Sequence, residues 1–237
     1  MKLSIIIPCH NEEENISEVI SRIEAAADMP RELVVVDDHS ADKSAEIIRE
    51  LSSRYGNIRL VQNRGEKGFA NAIRAGFAAA EGEAVVPVMA DLCDDLATLG
   101  RMWEKICQGY DVVCASRYIQ GGRRLGGSRV KGFFSAFVGW SLKFILGIPT
   151  HDIANAFKMY RKAVLDKISL EATGFEVSME IPIKAYFLGA RVTEVPSVWK
   201  ERTRGKSNFK MLRLLPHYLK FYLWAVKEKL KRCLSFR

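Results

Sequence analysis

No stretch of this 237-residue chain reaches the roughly twenty consecutive apolar residues that a bilayer-spanning helix needs. The greasiest segment, Phe133 to Ile148, is shorter than that and is broken by Lys143, so it is read as a helix with interfacial contact left open. The amino end carries no leader pattern: the apolar run Leu3 to Ile7 is one strand long and Pro8, Cys9, His10, Asn11 and three glutamates follow at once, so a cytoplasmic protein is expected. The five cysteines (Cys9, Cys93, Cys107, Cys114, Cys233) are odd in number and show no CxxC spacing, which argues against a disulfide framework and a zinc site. Neither GxGxxG after the first strand nor GxxxxGK[ST] anywhere occurs, which excludes the dinucleotide and P-loop fingerprints. A phosphate, if bound, must be held another way, and a divalent cation on carboxylates, assisted by Arg and Lys, is the natural substitute.

What is present is an apolar fraction of 48%, ample for one packed core, and a net charge of +8. That charge is unevenly spread. Residues 1–116 hold 12 basic and 20 acidic groups, residues 117–199 hold 12 and 6, and residues 200–237 hold 12 and 2. An acidic first half and a basic second half suggest an anionic partner for the latter: nucleic acid, a membrane surface or a phosphorylated substrate.

Short β-branched runs alternate with helical spacing. Leu3–Ile7 precedes Ile16, Val19, Ile20 and Ile23; Leu33–Val36 precedes Ile47, Ile48 and Leu51; Ile58–Val61 precedes the small-residue segment from Gly68; Ala84–Val88 ends at Met89, Ala90 and Asp91; and a fifth strand runs over 112–118. The alternation implies an α/β fold with a mostly parallel sheet, whose ligands bind beyond the carboxyl ends of the strands. Those ends carry His10, Asn11 and Glu12, then Asp37 and Asp38, then Arg64 and Lys67, then Asp91, Asp94 and Asp95. Each alone reads equally well as a helix cap. Their convergence on one sheet edge favours a site. Residues 117–150 then hold six cations (Arg117, Arg123, Arg124, Arg129, Lys131, Lys143) and no acid, in a glycine-rich loop that runs into the apolar helix. Mobile cations beside such a helix suit an amphiphile with an anionic head.

The segments SIIIPCHNEEENI, LVVVDDHSADKS, EKGFANAIRAGF, VMADL, ASRYIQGG, Lys131 to Ser135, HDIANAFKMYR and RTRGKSN, in this order and spacing, resemble family 2 glycosyltransferases of GT-A fold, and within them the dolichyl-phosphate (polyprenyl-phosphate) mannosyltransferase-like branch. The resemblance implies a glycosyltransferase domain over 1–208, its nucleotide-sugar half 1–116 and its acceptor half 117–208. It implies that Pro8, His10, Glu12, Val36, Asp38, Lys67 and Ala90 contact the donor, and that Asp91 holds Mg²⁺ or Mn²⁺ against the diphosphate. The family usually has Asp-x-Asp there; this chain has Met89 in the first position, and Asp94 or Asp95 is the expected source of a further oxygen ligand. Arg117, Lys131, Ser135 and Arg202 match the contacts to acceptor phosphate and donor diphosphate, Lys131 standing where Arg is usual, which keeps the charge and loses the fork. Near Asn208 the cation is expected to have moved to Lys206 or Lys210. HDIANAFKMYR matches the turn into the last core strand, with Asp152, Asn155 and Lys158 ordering the site from beneath; for Glu176 and Glu180 a structural role and a catalytic one both stand.

The chemistry that the resemblance implies is inverting transfer of a sugar, mannose from GDP-mannose foremost or a UDP-sugar such as UDP-glucose, to a polyprenyl phosphate. A phosphate monoester, with a second pKa of about 6, is largely deprotonated at neutral pH and needs no protein base. A saccharide acceptor would need one. Residues 209–237 read as a basic amphipathic helix, starting or kinked at Pro216, with Lys210, Arg213, His217, Lys220, Lys227 and Lys231 on one face and Leu212, Leu215, Leu219, Phe221, Tyr222, Leu223, Val226 and Leu230 on the other. It is open to three readings: packing on the core, lying on the inner face of a membrane, or pairing with a second copy as a homodimer. Nucleic-acid binding is disfavoured by the absence of any recognised motif and by the acidic sheet edge.

Overall fold

The computed structural model describes residues 1–202 and 211–235. The chain opens as strictly alternating units: β1 (Leu3–Cys9), α1 (Ile16–Ala26), β2 (Arg31–Asp37), α2 (Ser44–Arg54), β3 (Ile58–Gln62), α3 (Phe69–Ala79), β4 (Ala84–Pro87), α4 (Thr98–Cys107) and β5 (Val112–Ser116). Then follow β6 (Arg123–Leu125), α5 (Arg129–Leu146), β7 (Lys158–Arg161), α6 (Lys162–Leu165), α7 (Val177–Phe187), β8 (Val192–Pro196), β9 (Val198–Lys200) and α8 (Met211–Ser235).

Seven strands form one sheet in the order β3-β2-β1-β4-β7-β5-β8, parallel except for β7, which runs antiparallel between β4 and β5. Both faces are covered, so β1 and β2 are buried nearly throughout, the reason they read as continuous apolar runs. Side chains alternate between two cores. Leu3, Ile5, Ile7, Leu33 and Val35 meet α1, α2 and α4 on one face; Ile6, Val34 and Val36 meet α3 on the other, where the same core extends to α5, α7 and α8.

Two sequence expectations shift. The fifth strand stops at Ser116, because the Arg117 backbone N–H donates to Asp152 Oδ2 at 3.0 Å in place of a ladder partner. And β7 is not the last core strand: β8 is added later, at the sheet edge beside β5. Val192 and Val195 are buried while Thr193, Glu194 and Pro196 are half-buried, a pattern too short and too irregular to stand out in the sequence.

α5 is capped at both ends. Ser128 accepts from the Lys131 backbone N–H, and Gly147 closes the helix in the left-handed conformation at φ +80. α8 is helical through Pro216, which falls in its second turn. It lies against α5 and α7, burying Phe221 and Ala225. Trp224, which interrupts the polar row of this helix, packs edge-on to Phe187 at 5.7 Å. Among the described residues no helix is long and apolar enough to cross a membrane.

Candidate active site

The loops beyond the carboxyl ends of β1, β2 and β4 each hold one non-glycine residue in the left-handed region: Asn11 (φ 54), His39 (φ 58) and Leu92 (φ 58). Such conformations persist where surrounding contacts enforce them. Here the first two loops lock onto each other. Asn11 Oδ1 accepts from Ala41 N at 2.8 Å, Ser44 Oγ accepts from Glu12 N at 2.9 Å, and His10 Nδ1 donates to the Asp38 carbonyl at 2.8 Å. His39 Nε2 reaches the Gly65 carbonyl at 2.9 Å, tying in the third loop.

These loops floor a cavity of about 850 Å³, which also reaches the acceptor half. It is lined by Pro8, His10, Glu12, Asp38, Lys67, Ala90, Asp91 and Asp94 on one side and by Arg117, Lys131, Ser135 and Arg202 on the other. Residues scattered over nearly 200 positions of sequence thus meet in one place. Val36 does not: its side chain is fully buried under α3, so any donor contact there falls to the backbone. Asp95 also points elsewhere, accepting from Ala97 N at the start of α4 and facing Arg101. Lys206, Asn208 and Lys210 lie outside the described residues.

The acidic end is built by hydrogen bonds. Asp38 is buried, and its oxygens accept from Asn63 Nδ2 at 2.6 Å and from Gly68 N at 3.0 Å, pinning the 63–68 loop; a ligand would use its remaining lone pairs. Asp91 accepts from Cys93 N at 3.1 Å. Burial, and then the charge of Asp91, push the Asp94 carboxyl up to about 7, with Arg117 pulling the other way. The stretch 93–95 is stitched to β9: Lys200 N donates to the Cys93 carbonyl at 2.9 Å and Asp95 N to the Val198 carbonyl at 3.1 Å. β9 in turn pairs with β6, so the acidic loop and the basic loop are coupled through one strand.

The basic end centres on Arg117. Its Nε and Nη2 donate to the two oxygens of Asp152, each at 2.7 Å, and Nη2 also reaches Ser135 Oγ on α5 at 3.1 Å. Burial opposes the guanidinium charge, but Asp152 outweighs it and raises the Arg117 pKa. Beneath, the fully buried Lys158 ammonium donates to the carbonyls of Ile153, Asn155 and Ser178, and burial lowers its pKa to about 8. Arg202 closes the far side through an ion pair with Glu12 at 3.2 Å. The carboxylates of Glu176 and Glu180 accept from backbone N–H groups at 173–174 and 171–172, which is a structural task.

A model of glycosyl transferase family 2 matches residues 4–169, the span that carries this acidic floor and most of the basic wall. The chain belongs to that family. Among relatives of this family 2 glycosyltransferase, a dolichol-phosphate mannosyltransferase of Pyrococcus furiosus is 34% identical over 94% of this chain and 64% of its own length. An undecaprenyl-phosphate 4-deoxy-4-formamido-L-arabinose transferase of Edwardsiella ictaluri is 33% identical over 90% of this chain and likewise 64% of its own length. The chain thus spans just under two thirds of these relatives. Among solved structures, glucosyl-3-phosphoglycerate synthase from Mycobacterium tuberculosis, in complex with Mn²⁺, UDP-glucose and phosphoglyceric acid, superposes with a TM-score of 0.71 at 20% identity, covering 95% of this chain and 80% of that one. That likeness supports the GT-A fold.

Several lining residues of this family 2 glycosyltransferase were not singled out from the sequence. Phe69 and Phe175 stack at 4.7 Å on the cavity wall, and Tyr118, Arg124, Trp199 and Tyr218 complete it. Arg124 was visible only as one of six loop cations. Trp199 sits in a three-residue strand whose partner could not be read from pattern alone.

Proposed function

We propose that this chain transfers a sugar from a nucleotide-sugar donor, GDP-mannose foremost, to a polyprenyl phosphate at the inner face of a membrane. The observation that carries this reading is the two-sidedness of α5. One side lines the cavity with Lys131 and Ser135, while the other exposes Phe133, Phe137, Trp140 and Phe144, the last 91% accessible. A phosphate seated on the first side would have its hydrocarbon chain beside the second. α8, alongside, adds an exposed row of Leu215, Leu219, Leu223, Leu230 and Leu234 with Arg213 and Lys220 next to it. Contiguous apolar surface of this kind marks an interaction site, and aromatics flanked by basic residues suit headgroup level. The two relatives above are named for polyprenyl-phosphate acceptors, which supports the same reading.

The acidic end would receive the donor. Asp91 and Asp94 would hold a divalent cation, Mg²⁺ or Mn²⁺, which would supply charge neutralisation for the departing nucleoside diphosphate. The residues present fit such an ion. No group of three or more His, Cys, Asp and Glu is gathered among the described residues, and Mg²⁺ takes one or two carboxylates beside water and phosphate oxygens. Asp91 and Asp94 line the same cavity, and burial first and the Asp91 charge second push the Asp94 carboxyl up to about 7, a cost that a bound cation would offset. Arg117, held rigid by Asp152, stabilises charge between the two substrates. Lys131, Ser135 and Arg202 align the acceptor phosphate for attack on the anomeric carbon, with inversion. Because the attacking oxygen is already ionised, positioning and electrostatics carry the rate.

The test is a panel of nucleotide sugars offered with farnesyl phosphate, with and without Mn²⁺, scored by transfer of label into organic solvent. GDP-mannose-dependent, metal-dependent extraction is expected. Label passing only to a water-soluble saccharide would overturn the reading.

A further inference from the structure

Three arginines of the described residues line the cavity, and two are committed to carboxylates: Arg117 through Nε and Nη2 to Asp152, and Arg202 through Nη2 to Glu12. Arg124 is different. Its one hydrogen bond among the described residues runs from Nη1 to the Ser128 carbonyl at 2.8 Å, leaving four of the five guanidinium N–H groups uncommitted. Yet the group rests against defined neighbours. It lies over the Trp199 ring, 5.0 Å from the centroid, and occupies space that two side chains would otherwise fill. A Cβ on Gly127 would stand 2.5 Å from Nη2, and one on Gly132 would stand 2.4 Å from Nη1. Gly132 is adjacent to Lys131 and less than one helical turn before Ser135, so the guanidinium sits beside the proposed phosphate contacts. Lys131 itself is a compact point charge that offers no planar pair of donors.

We propose that Arg124 grips two oxygens of the acceptor's phosphate monoester, with Gly127 and Gly132 providing the clearance that holds its fork in place. This rests on the polyprenyl-phosphate reading above and assigns the bidentate contact within it. Planar recognition of a phosphate by a preorganised guanidinium is the task for which Arg and Lys are least interchangeable.

The full chain is assayed with GDP-mannose and farnesyl phosphate, as wild type, Arg124→Lys, Arg124→Gln and Gly132→Ala. Both Arg124 variants are expected to raise the KM for farnesyl phosphate about tenfold or more, the scale of a charge-assisted hydrogen-bond pair, with the donor KM unchanged. Gly132→Ala keeps Arg124 and improves helix propensity, so it should preserve or raise Tm while still raising the acceptor KM by displacing the guanidinium. Line broadening of the ³¹P signal of farnesyl phosphate without donor gives an independent reading of binding. A wild-type acceptor KM in Arg124→Lys, with the wild type active, overturns this inference alone, as does a parallel shift of donor KM, acceptor KM and Tm. A wild type that neither binds nor glycosylates farnesyl phosphate overturns the underlying reading, and this inference with it.

Discussion

Asp152→Asn is the most informative single change at the basic end. Asp152 is fully buried and spends both oxygens on Arg117, through Nε, Nη2 and the backbone N–H. The asparagine keeps the shape and removes the charge, and its amide nitrogen faces a donor where an acceptor stood. Removing one partner of a buried ion pair leaves the other charge uncompensated, at a cost of about 3–5 kcal/mol. For a chain of this size each kcal/mol lowers Tm by roughly 2–4 °C, so a fall on the order of 10 °C is expected. Transfer should collapse further than stability does, because Arg117 also holds Ser135 and loses its orientation toward both substrates. The control is the paired change Arg117→Met with Asp152→Leu. Replacing a whole buried pair by apolar groups is often neutral, but the backbone N–H at 117 stays unpaired, so this variant should regain part of the Tm and none of the activity. Thermal melts and initial rates on the three proteins decide it. Wild-type Tm and kcat in Asp152→Asn would refute the reasoning.

Lys158 gives a pH signature. Its folded pKa, about 8, lies below the ordinary 10.5, so between those values the unfolded chain binds more protons and stability rises with pH; denaturant titrations at pH 8 and above should show the rise, and Lys158→Met should flatten it. Gly139→Ala places a Cβ 1.9 Å from the His151 carbonyl oxygen, so α5 must move off the turn that carries Asp152. A loss of about 1–3 kcal/mol is expected in spite of better helix propensity, read by Tm. Phe137→Asp with Phe144→Asp changes exposed positions only, so Tm should hold while flotation with anionic phospholipid vesicles falls several-fold; unchanged flotation would remove α5 from the membrane account.

Much of the sheet was legible because short continuous apolar runs, buried on both faces, alternate with 3.6-period amphipathic segments unit after unit from Leu3 to Cys107. The strand ends flagged His10, Glu12, Asp38, Lys67 and Asp91 as one edge for the same reason, and the family resemblance placed Arg117, Lys131, Ser135 and Arg202 opposite them. What pattern could not carry were contacts between short or irregular pieces. β6 and β9 are three residues each, and their pairing is what places Trp199 against Arg124. Asp95 and Asp94 are neighbours in sequence, yet one faces α4 and the other the cavity, because the loop is pinned to β9 between them. Of the three readings of α8 the structure bears out packing on the core, with Phe221 and Ala225 buried on α5 and α7, and it leaves the leucine row exposed. A one-helix view could not divide the apolar positions, since the apolar arc is wider than the groove it fills.

The central claim is that the acceptor is a phosphate whose own ionisation, rather than a protein base, supplies the nucleophile. The direct measurement is the pH dependence of kcat/KM with farnesyl phosphate and with the corresponding farnesyl phosphonate, whose second ionisation lies higher. The account predicts an acidic limb near the acceptor's second pKa, about 6 for the phosphate, that moves upward with the phosphonate. A limb that stays in place when the acceptor is exchanged would contradict it.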